Sequence, residues 1–331
     1  MSRRIRWGVV ATGNIAGVFT RELGLLPDHE VVAVGSRSKR RAERFALHWN
    51  VPNAYGSYQE VVDDPDVDVV YVATPHSDHL ETTRYALERS KPVLCEKAFT
   101  VNAKEAKELI DLARSNNTFL MEAMWMRCNP LHLRLKDLVN SGDLGEPRQV
   151  KAELGFVAEY DPKGRLFAPD LAGGALLDVG VYPIAFAHHL LGAPQTVHAT
   201  AAKAPTGVDA SVGVLLGYES GAVATCVGSL DATLPGQATF AGTEGWVELD
   251  RSFHDTNRFV VHRPGKDPEP VTVELLGVGY TYEALEVARC LAAGLVESPL
   301  VTHADTLAVM EVLDTVRDQI GVRYPNDEDV R

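Results

Sequence analysis

Short, valine-rich apolar runs alternate with amphipathic stretches through about the first 120 residues of the chain. The apolar runs are too short for buried helices, whereas the stretches between them have helical spacing. Because parallel strands need a crossover connection, this alternation predicts a doubly wound α/β (Rossmann) domain, with helices on both faces of a parallel sheet. The predicted strands are Ile5–Val10, Val31–Gly35, Val67–Ala73, Val93–Cys95 and Phe119–Met121, and the predicted helices are Asn14–Leu26, Lys39–His48, Asp78–Arg89 and Ala103–Ser115.

The pattern changes near residue 122, after which strand-like stretches follow one another through short turns. Such a succession predicts a mostly antiparallel, open-faced sheet with helices on one side. A length of 331 residues allows two domains. We predict the α/β domain over residues 1–122 and an α+β domain over 123–331, with the last helix packing back on the first domain. The predicted strands are Gln149–Phe156, Thr196–Lys203, Ser211–Leu216, Ala222–Ser229, Ala238–Ala241, Val247–Leu249, Phe259–Val261 and Thr272–Leu275, and the predicted helices are Pro130–Ser141, Tyr182–Leu191, Tyr282–Ala293 and Asp305–Ile320.

The charge balance excludes one large class of function. The chain has 32 Lys and Arg against 45 Asp and Glu, a net charge of −13, and a general nucleic-acid binder needs a basic face instead. Its four cysteines are widely spaced without a C-x-x-C motif, which favours reduced thiols and no metal site. No signal segment or membrane span is recognisable, so the expectation is a cytoplasmic protein without a membrane partner.

The first predicted strand ends in Ala11-Thr12-Gly13-Asn14-Ile15-Ala16, a degenerate G-x-G-x-x-G/A loop. Alanines stand at the first and third glycine positions, and Gly13 stands at the second, where a bare backbone lets a pyrophosphate approach a helix N-terminus. A plain strand-to-helix turn is the alternative interpretation. The position of the loop in a βαβ unit favours dinucleotide binding, with contacts from Ala11, Thr12, Gly13, Asn14 and Ile15.

A basic run, Ser36-Arg37-Ser38-Lys39-Arg40-Arg41, follows the second predicted strand. An NAD site would carry an acidic residue here for the ribose 2′-hydroxyl, whereas arginine accommodates the 2′-phosphate of NADP. No acidic residue occurs before Glu43, and cations in the first turn of a helix are unfavourable unless an anion binds there. We predict NADP as the cofactor, with NAD as the alternative, and Ser36, Arg37 and Arg41 as contacts. The alternative interpretation is a solvated basic turn without a binding role.

Three further segments carry the residue types of an active site. Thr74-Pro75-His76-Ser77-Asp78-His79 and Glu96-Lys97 follow predicted strands at the carboxyl edge, where doubly wound sheets bind ligands. A Glu-Lys pair ending a buried strand is a structural ion pair, an exposed strand end or part of a site. In the second half, two glycines precede Asp178 and Tyr182, which share one face if the segment is helical. A buried core tyrosine is the alternative for Tyr182.

With these residues, the sequence resembles the glucose–fructose oxidoreductase/inositol dehydrogenase (Gfo/Idh/MocA) family over nearly its whole length. Within that family it most resembles the branch of dimeric dihydrodiol dehydrogenases and NADP-dependent D-xylose dehydrogenases. The resemblance implies an NAD(P)-dependent oxidoreductase that transfers a hydride between the nicotinamide and a secondary alcohol of a sugar or cyclic diol. The stretches that carry it are Arg6-Trp7-Gly8-Val9-Val10, Ala54-Tyr55-Gly56-Ser57-Tyr58, Val93-Leu94-Cys95-Glu96-Lys97, Phe119 to Trp125, Gly173 to Tyr182, and Tyr282-Glu283-Ala284.

The resemblance also implies roles for single residues. Lys97 matches the lysine of a Glu-Lys-Pro motif, Tyr182 matches a proposed general acid/base, and Asp178 matches an acid that contacts substrate or orients the site. The resemblance also places His76 beside the cofactor, and Trp125 and Arg127 along the cofactor and substrate cleft. Together with the segments at the carboxyl edge, the predicted cofactor contacts here are Thr74, Pro75, His76, His79, Glu96, Lys97, Trp125 and Arg127. The predicted substrate contacts are Lys97, Trp125, Phe156, Asp178 and Tyr182. Ala98 replaces the proline of that motif, which leaves the local backbone geometry, including a cis peptide, open.

The expected chemistry needs a group that exchanges the hydroxyl proton. Free tyrosine has a pKa of ~10 and free lysine ~10.4, both high for a base at neutral pH, so a cation near the tyrosine would favour its phenolate. Our hypothesis is that Tyr182 exchanges the proton while Lys97 lowers its pKa and holds the substrate oxygen; the reverse assignment stays open. An NAD-dependent inositol- or glucose-type dehydrogenase and a non-catalytic nicotinamide-binding redox sensor are the alternative functions.

The sequence does not specify the substrate, although Phe156, Tyr160 and Phe167 suggest an aromatic-tolerant pocket if they are not core residues. Apolar alternation in 212–216 and 223–227 predicts that the open face of the second sheet is buried against a second copy, and the family resemblance also implies a dimer.

Overall fold

The computed structural model describes residues 4–330, which form two compact units. The first contains residues 4–128 and 276–306, and the second contains residues 129–275 and 307–330. This division differs from the predicted one: the chain leaves the first unit after Cys128 rather than at residue 122, and residues 276–306 return to it. The last helix starts in the first unit, because residues 303–306 belong there.

The first unit is built on a six-stranded, all-parallel sheet with the order β3-β2-β1-β4-β5-β6. Three of its strands, Val69–Val72, Val93–Glu96 and Leu120–Ala123, are fully buried, as expected for a parallel sheet covered on both faces. This is the predicted Rossmann architecture, with the strand order reversing at β1. The strands are β1 Ile5–Val10, β2 His29–Gly35, β3 Asn53–Tyr55, β4 Val69–Val72, β5 Val93–Glu96 and β6 Leu120–Ala123.

Five helices connect these strands, and their N-termini differ in how they are capped. Ser57 accepts a hydrogen bond from the Glu60 amide at the start of α3, and Asn102 does the same for Glu105 at the start of α5. The starts of α1 and α2 have no side-chain cap, and both lie at the carboxyl edge of the sheet. The helices are α1 Asn14–Leu23, α2 Lys39–Trp49, α3 Tyr58–Asp63, α4 His79–Glu88 and α5 Ala103–Ser115.

The second unit contains an eight-stranded sheet with the order β14-β13-β12-β11-β7-β10-β9-β8, in which every neighbouring pair is antiparallel except β7 and β10. One face is buried along β9 and β10, and the other carries partly exposed apolar side chains, which confirms the predicted open-faced sheet. The strands are β7 Pro147–Gly155, β8 Thr196–Lys203, β9 Asp209–Gly217, β10 Val223–Ser229, β11 Ala238–Gly242, β12 Trp246–Leu249, β13 Arg258–His262 and β14 Glu269–Thr272.

Four more α-helices follow β6 in the described part of the chain: α6 Pro130–Asn140, α7 Val181–Leu191, α8 Thr281–Ala292 and α9 His303–Ile320. Helix α7 is apolar on all sides because it packs against β7 and β10 in the core of its unit. The stretch Pro169–Leu191 is apolar and long enough to cross a membrane, but 94% of its apolar window is buried within the fold. All four cysteines are buried free thiols.

Candidate functional site

The loop between β1 and α1 has the geometry of a phosphate-binding turn. Ala11, at the position of the first glycine, donates its amide to the Gly35 carbonyl and has φ +86°, in the left-handed region that favours glycine. Gly13 has φ −75°, which any residue adopts, and a Cβ there would come within 4 Å of no described residue other than its chain neighbours. The chain's own packing therefore does not require glycine at this position, whereas close approach of a phosphate to the backbone does.

Ala11→Gly is expected to stabilise the protein by about 0.5–1 kcal/mol. The left-handed conformation costs a residue with a Cβ roughly 1–2 kcal/mol, and the greater freedom of glycine in the unfolded chain cancels part of the gain. Thermal unfolding monitored by circular dichroism measures the effect. The control Ala11→Val should lower the Tm, because branching at Cβ aggravates the strain; a lower Tm for Ala11→Gly would contradict the strain argument.

The basic run after β2 lies at the uncapped start of α2. Lys39 is engaged, because its ammonium donates to the Ala54 carbonyl and lies 5.7 Å from the Tyr55 ring centre. Arg37 is 68% exposed and lies 3.5 Å from Asp78, and its neighbours Arg40 and Arg41 are exposed. Neither of these two has an ion-pair partner among residues 4–330, and no acidic residue occupies the first helical turn. The Ser36 hydroxyl accepts the Ser38 amide at 3.3 Å.

The segment after β4 offers a buried polar atom that the protein itself leaves without a partner. Thr74 is 7% exposed, and its Oγ1 forms no hydrogen bond within the described chain. Pro75 is half-buried and His76 is 9% exposed beside it. An orphaned hydroxyl at the carboxyl edge, together with the open backbone at Gly13, fits the polar edge of a dinucleotide.

His79, a predicted cofactor contact, lies between two loops at the carboxyl edge of the first sheet. It is fully buried, its Nε2 lies 3.0 Å from the Thr74 carbonyl, and its Nδ1 lies 3.1 Å from the carbonyls of Ala98 and Phe99. Burial lowers its pKa, although the three carbonyls oppose that shift. His79 thus joins the loop after β4 to the loop after β5, and its contact with the cofactor stays a prediction.

Lys97 follows β5 and is half-buried, and the Lys97–Ala98 peptide bond is cis. Its neighbour Glu96 is 5% exposed and accepts hydrogen bonds from the Tyr71 hydroxyl at 2.5 Å and from the Lys97 amide at 3.2 Å. Glu96 therefore anchors the end of β5 beside Lys97 through its own hydrogen bonds.

A second buried acid, Glu283 on α8, lies near Glu96 and was not among the predicted site residues. It is fully buried, and neither of its carboxyl oxygens has a hydrogen-bond partner among the described residues. Burial, and next the charge of Glu96, raise its pKa well above the usual value. The sequence offered one signal, since Tyr282-Glu283-Ala284 belongs to the family-like stretches. The raised pKa favours the neutral form of Glu283.

Glu283→Gln is expected to raise the Tm, increasingly so at higher pH. A carboxyl group whose pKa is raised in the folded state stabilises the protein at low pH and loses that contribution as pH rises through the folded pKa, and the neutral amide has no such loss. Thermal unfolding at about pH 6 and about pH 9 measures it. On the same helix, Glu286→Gln is the control and should destabilise, because the pKa of Glu286 is lowered by hydrogen bonds from Arg289, Ser298 and Cys290 despite burial. Equal responses of the two variants would contradict a neutral Glu283.

Trp125 and Arg127 lie in the 3₁₀ turn that follows β6. Trp125 is 3% exposed and stacks on Tyr280 at 4.3 Å between ring centres, and Gly279, at φ +116°, lets the backbone pass the indole, because a Cβ there would be 2.9 Å from it. Tyr280 is a second residue that the sequence reasoning missed. Arg127 is 9% exposed and donates to Asp305 at 3.0 Å, so its guanidinium already holds a protein carboxylate.

In the second unit, Asp178 and Tyr182 are brought onto one segment, a π-helical turn over Leu176–Gly180 followed by α7. Such turns are frequent at functional sites. Asp178 is 6% exposed and accepts a hydrogen bond of 2.6 Å from Arg165, another residue absent from the sequence prediction. Tyr182 is 5% exposed, and its ring centre lies 4.8 Å from that of His254.

The predicted aromatic residues divide between surface and core. Phe156, directly after β7, is 41% exposed, and Tyr160 is 47% exposed. Phe167 is 4% exposed and meets Tyr160 edge to face at 5.1 Å. Phe156 thus remains available to a ligand, whereas Phe167 supports the loop from within.

Comparison with known proteins gives matches in both units. Residues 5–124 match the model of an oxidoreductase family with an NAD-binding Rossmann fold, and residues 132–248 match the GFO/IDH/MocA C-terminal domain. Trans-1,2-dihydrobenzene-1,2-diol dehydrogenase of Mus musculus is 39% identical, with 98% of this chain and 99% of the relative covered. The Sus scrofa protein of that name is 38% identical, with the same coverage.

Two solved structures show the same fold. The 3-ketoreductase KijD10 from Actinomadura kijaniata, in complex with NADP and TDP-benzene, superposes with a TM-score of 0.85 at 28% identity, covering 96% of this chain and 98% of that one. Aldose-aldose oxidoreductase from Caulobacter crescentus superposes with a TM-score of 0.87 at 24% identity, covering 96% and 97%.

Proposed function

Because the chain belongs to the GFO/IDH/MocA family of NAD(P)-binding oxidoreductases, we propose that it transfers a hydride between NADP and a secondary alcohol of a sugar or cyclic diol. The proposal rests on the group of residues that the structure places at the carboxyl edge of the first sheet. There, an open backbone at Gly13 and an orphaned hydroxyl at Thr74 accompany Lys97 at the end of β5. The relatives named dihydrodiol dehydrogenases support a cyclic diol among the substrates.

The preference for NADP rests on the basic run after β2. The 2′-phosphate is the group that separates NADP from NAD, and Arg37 and Arg41 at an uncapped helix start would bind it through charge-assisted hydrogen bonds. Gly13 and the α1 N-terminus would hold the pyrophosphate. The NADP-bound structures of the KijD10 3-ketoreductase support the same choice.

In the proposed mechanism the bound nicotinamide supplies the hydride chemistry, and side chains of the protein handle the proton. Tyr182 accepts the proton of the substrate hydroxyl during oxidation and returns it during reduction. Lys97 holds the substrate oxygen, where its positive charge favours loss of that proton. Asp178, fixed by Arg165, accepts a hydrogen bond from a neighbouring substrate hydroxyl and so orients the alcohol.

The proposal is tested with a matrix of NAD and NADP against pentoses, hexoses, inositols and dihydrodiols, followed by absorbance of the reduced nicotinamide. Turnover of a polyol or diol, at least about tenfold faster with NADP at limiting concentration, is the expected result. Binding of the cofactor without turnover of any substrate would identify a redox sensor instead, and preference for NAD with inositols would identify the other dehydrogenase type.

We further propose a homodimer through the open face of the second sheet and a cytoplasmic location. Leu215, Val223 and Trp246 are 44%, 37% and 39% exposed on that sheet, an apolar surface that a second copy would cover. Four free thiols suit a reducing compartment. Light scattering should report twice the 36.0 kDa chain mass, and only monomer at micromolar concentration would contradict the dimer.

A further inference from the structure

Asp209, the first residue of β9, supports the segment that carries Asp178 and Tyr182. It is fully buried, and its Oδ2 accepts the Leu176 amide at 2.6 Å, the first amide of the π-helical turn. Its Oδ1 has no hydrogen-bond partner within the described chain and lies 2.4 Å from the place of a Cβ on Gly174. Gly174, at φ +127°, is therefore required for the carboxyl group to fit.

Tyr324 supports the same turn from the C-terminal part of the unit. It is 2% exposed, and its hydroxyl donates to the Gly173 carbonyl at 2.5 Å. Two independent side chains thus act at the N-terminal end of the turn: Tyr324 holds the Gly173 carbonyl that precedes the turn, and Asp209 holds the Leu176 amide with which the turn begins.

We propose that Asp209 is a positioning residue for hydride transfer, whose carboxylate holds the turn at Leu176 and thereby sets the placement of Asp178 and Tyr182. This inference rests on the proposed function. It is carried by the short hydrogen bond, the complete burial and the glycine that makes room for the carboxyl group.

The carboxyl group of Asp209 titrates within a pH range in which the enzyme can be assayed. Burial raises its pKa to about 6, although the Leu176 amide and the cations Arg317 and Lys203 lower it. Tyr324 also faces it, and the pKa of Tyr324 is raised by burial and by the charge of Asp209. Since a protonated carboxyl group is a weaker acceptor than a carboxylate, the turn is held less firmly below that pH.

Asp209→Asn is the decisive variant, because it keeps an acceptor for the Leu176 amide and removes the titration. The assay runs in the direction of ketone reduction with NADPH, where Tyr182 acts as an acid and causes no loss at low pH. From about pH 8 down to about pH 5, the wild-type kcat should fall about 3- to 10-fold, whereas that of Asp209→Asn should stay level. The same fall in both proteins would overturn the inference.

Two companion variants separate positioning from loss of fold. Asp209→Ala should lower kcat about 10- to 100-fold at every pH while the KM for NADPH is unchanged, because the predicted cofactor contacts belong to the other unit. An unchanged kcat would overturn the inference. Asp250→Asn, at an exposed aspartate, is the matched control and should behave as wild type.

A measurement without turnover keeps the inference distinct from the proposed function. The raised pKa stabilises wild type at low pH, and that contribution is lost as pH rises through about 6. The Tm of Asp209→Asn minus the Tm of wild type should therefore increase between about pH 4 and about pH 7. The absence of an increase would contradict a raised pKa of Asp209. Failure of every substrate in the matrix would instead reject the proposed function.

Discussion

Tyr182→Phe is expected to lower kcat by about 10²- to 10⁴-fold, the usual contribution of a positioned proton-transfer group. The variant keeps the ring, which is 5% exposed and packs beside His254, so the Tm should change little. The KM for NADP should also stay constant, because Tyr182 lies in the second unit and the predicted cofactor contacts lie in the first. Initial rates with saturating NADP and a substrate from the matrix measure the loss.

Tyr218→Phe is the matched control for this experiment. Tyr218 is 8% exposed in the same unit, and its hydroxyl has no hydrogen-bond partner within the described chain, so its removal should leave kcat unchanged. If Tyr182→Phe keeps full turnover, Tyr182 is not the proton-transfer group, and Lys97 becomes the candidate base. A Lys97→Met variant then shows whether the activity depends on that ammonium.

The fold was predictable where the hydrophobic pattern is long or repeated. The order of strands and helices from β1 to β6 follows from five buried runs and four amphipathic stretches, apart from β3 and α3. Those two were missed because they have three and six residues, too few to show a period. The prediction for the last strand, Thr272–Leu275, was wrong: β14 covers Glu269–Thr272, an exposed edge strand that contains a proline and lacks apolar alternation.

The candidate site was predictable only where the residues that indicate it are close together in the sequence. Loops after strands identified Gly13, Lys97 and the basic run, because the carboxyl edge of a doubly wound sheet is a known place for ligands. Glu283 and Asp209 could not be found in this way, since each acts through a residue distant in sequence. Burial without a hydrogen-bond partner is a property of the fold that the sequence does not show. His79 remains a predicted cofactor contact, and the fold adds the three backbone carbonyls that surround its ring.

Arg37→Asp should produce the second large effect, a loss of NADP affinity of about 10²- to 10³-fold with little change for NAD. Charge-assisted hydrogen bonds contribute about 1.5–3 kcal/mol each, and the reversal replaces attraction of the 2′-phosphate by repulsion. Fluorescence titration of NADPH and NADH in the absence of substrate measures both affinities. The loss should shrink at high salt, since Arg37 is 68% exposed and its field is screened.

Two further variants decide what such a loss means. Arg37→Gln removes the charge without setting a carboxylate beside Asp78, which lies 3.5 Å away, so a weaker but selective loss of NADPH binding should remain. Arg44→Asp changes the net charge equally at an exposed site further along α2, and it should leave both affinities unchanged. If Arg44→Asp weakens NADPH as much as Arg37→Asp does, the effect is one of overall charge. If neither Arg37→Asp nor Arg44→Asp changes the NADPH affinity, the basic run is a solvated surface and the preference for NADP over NAD is rejected. The proposed proton transfer by Tyr182 is independent of that result and is decided by the kinetic test.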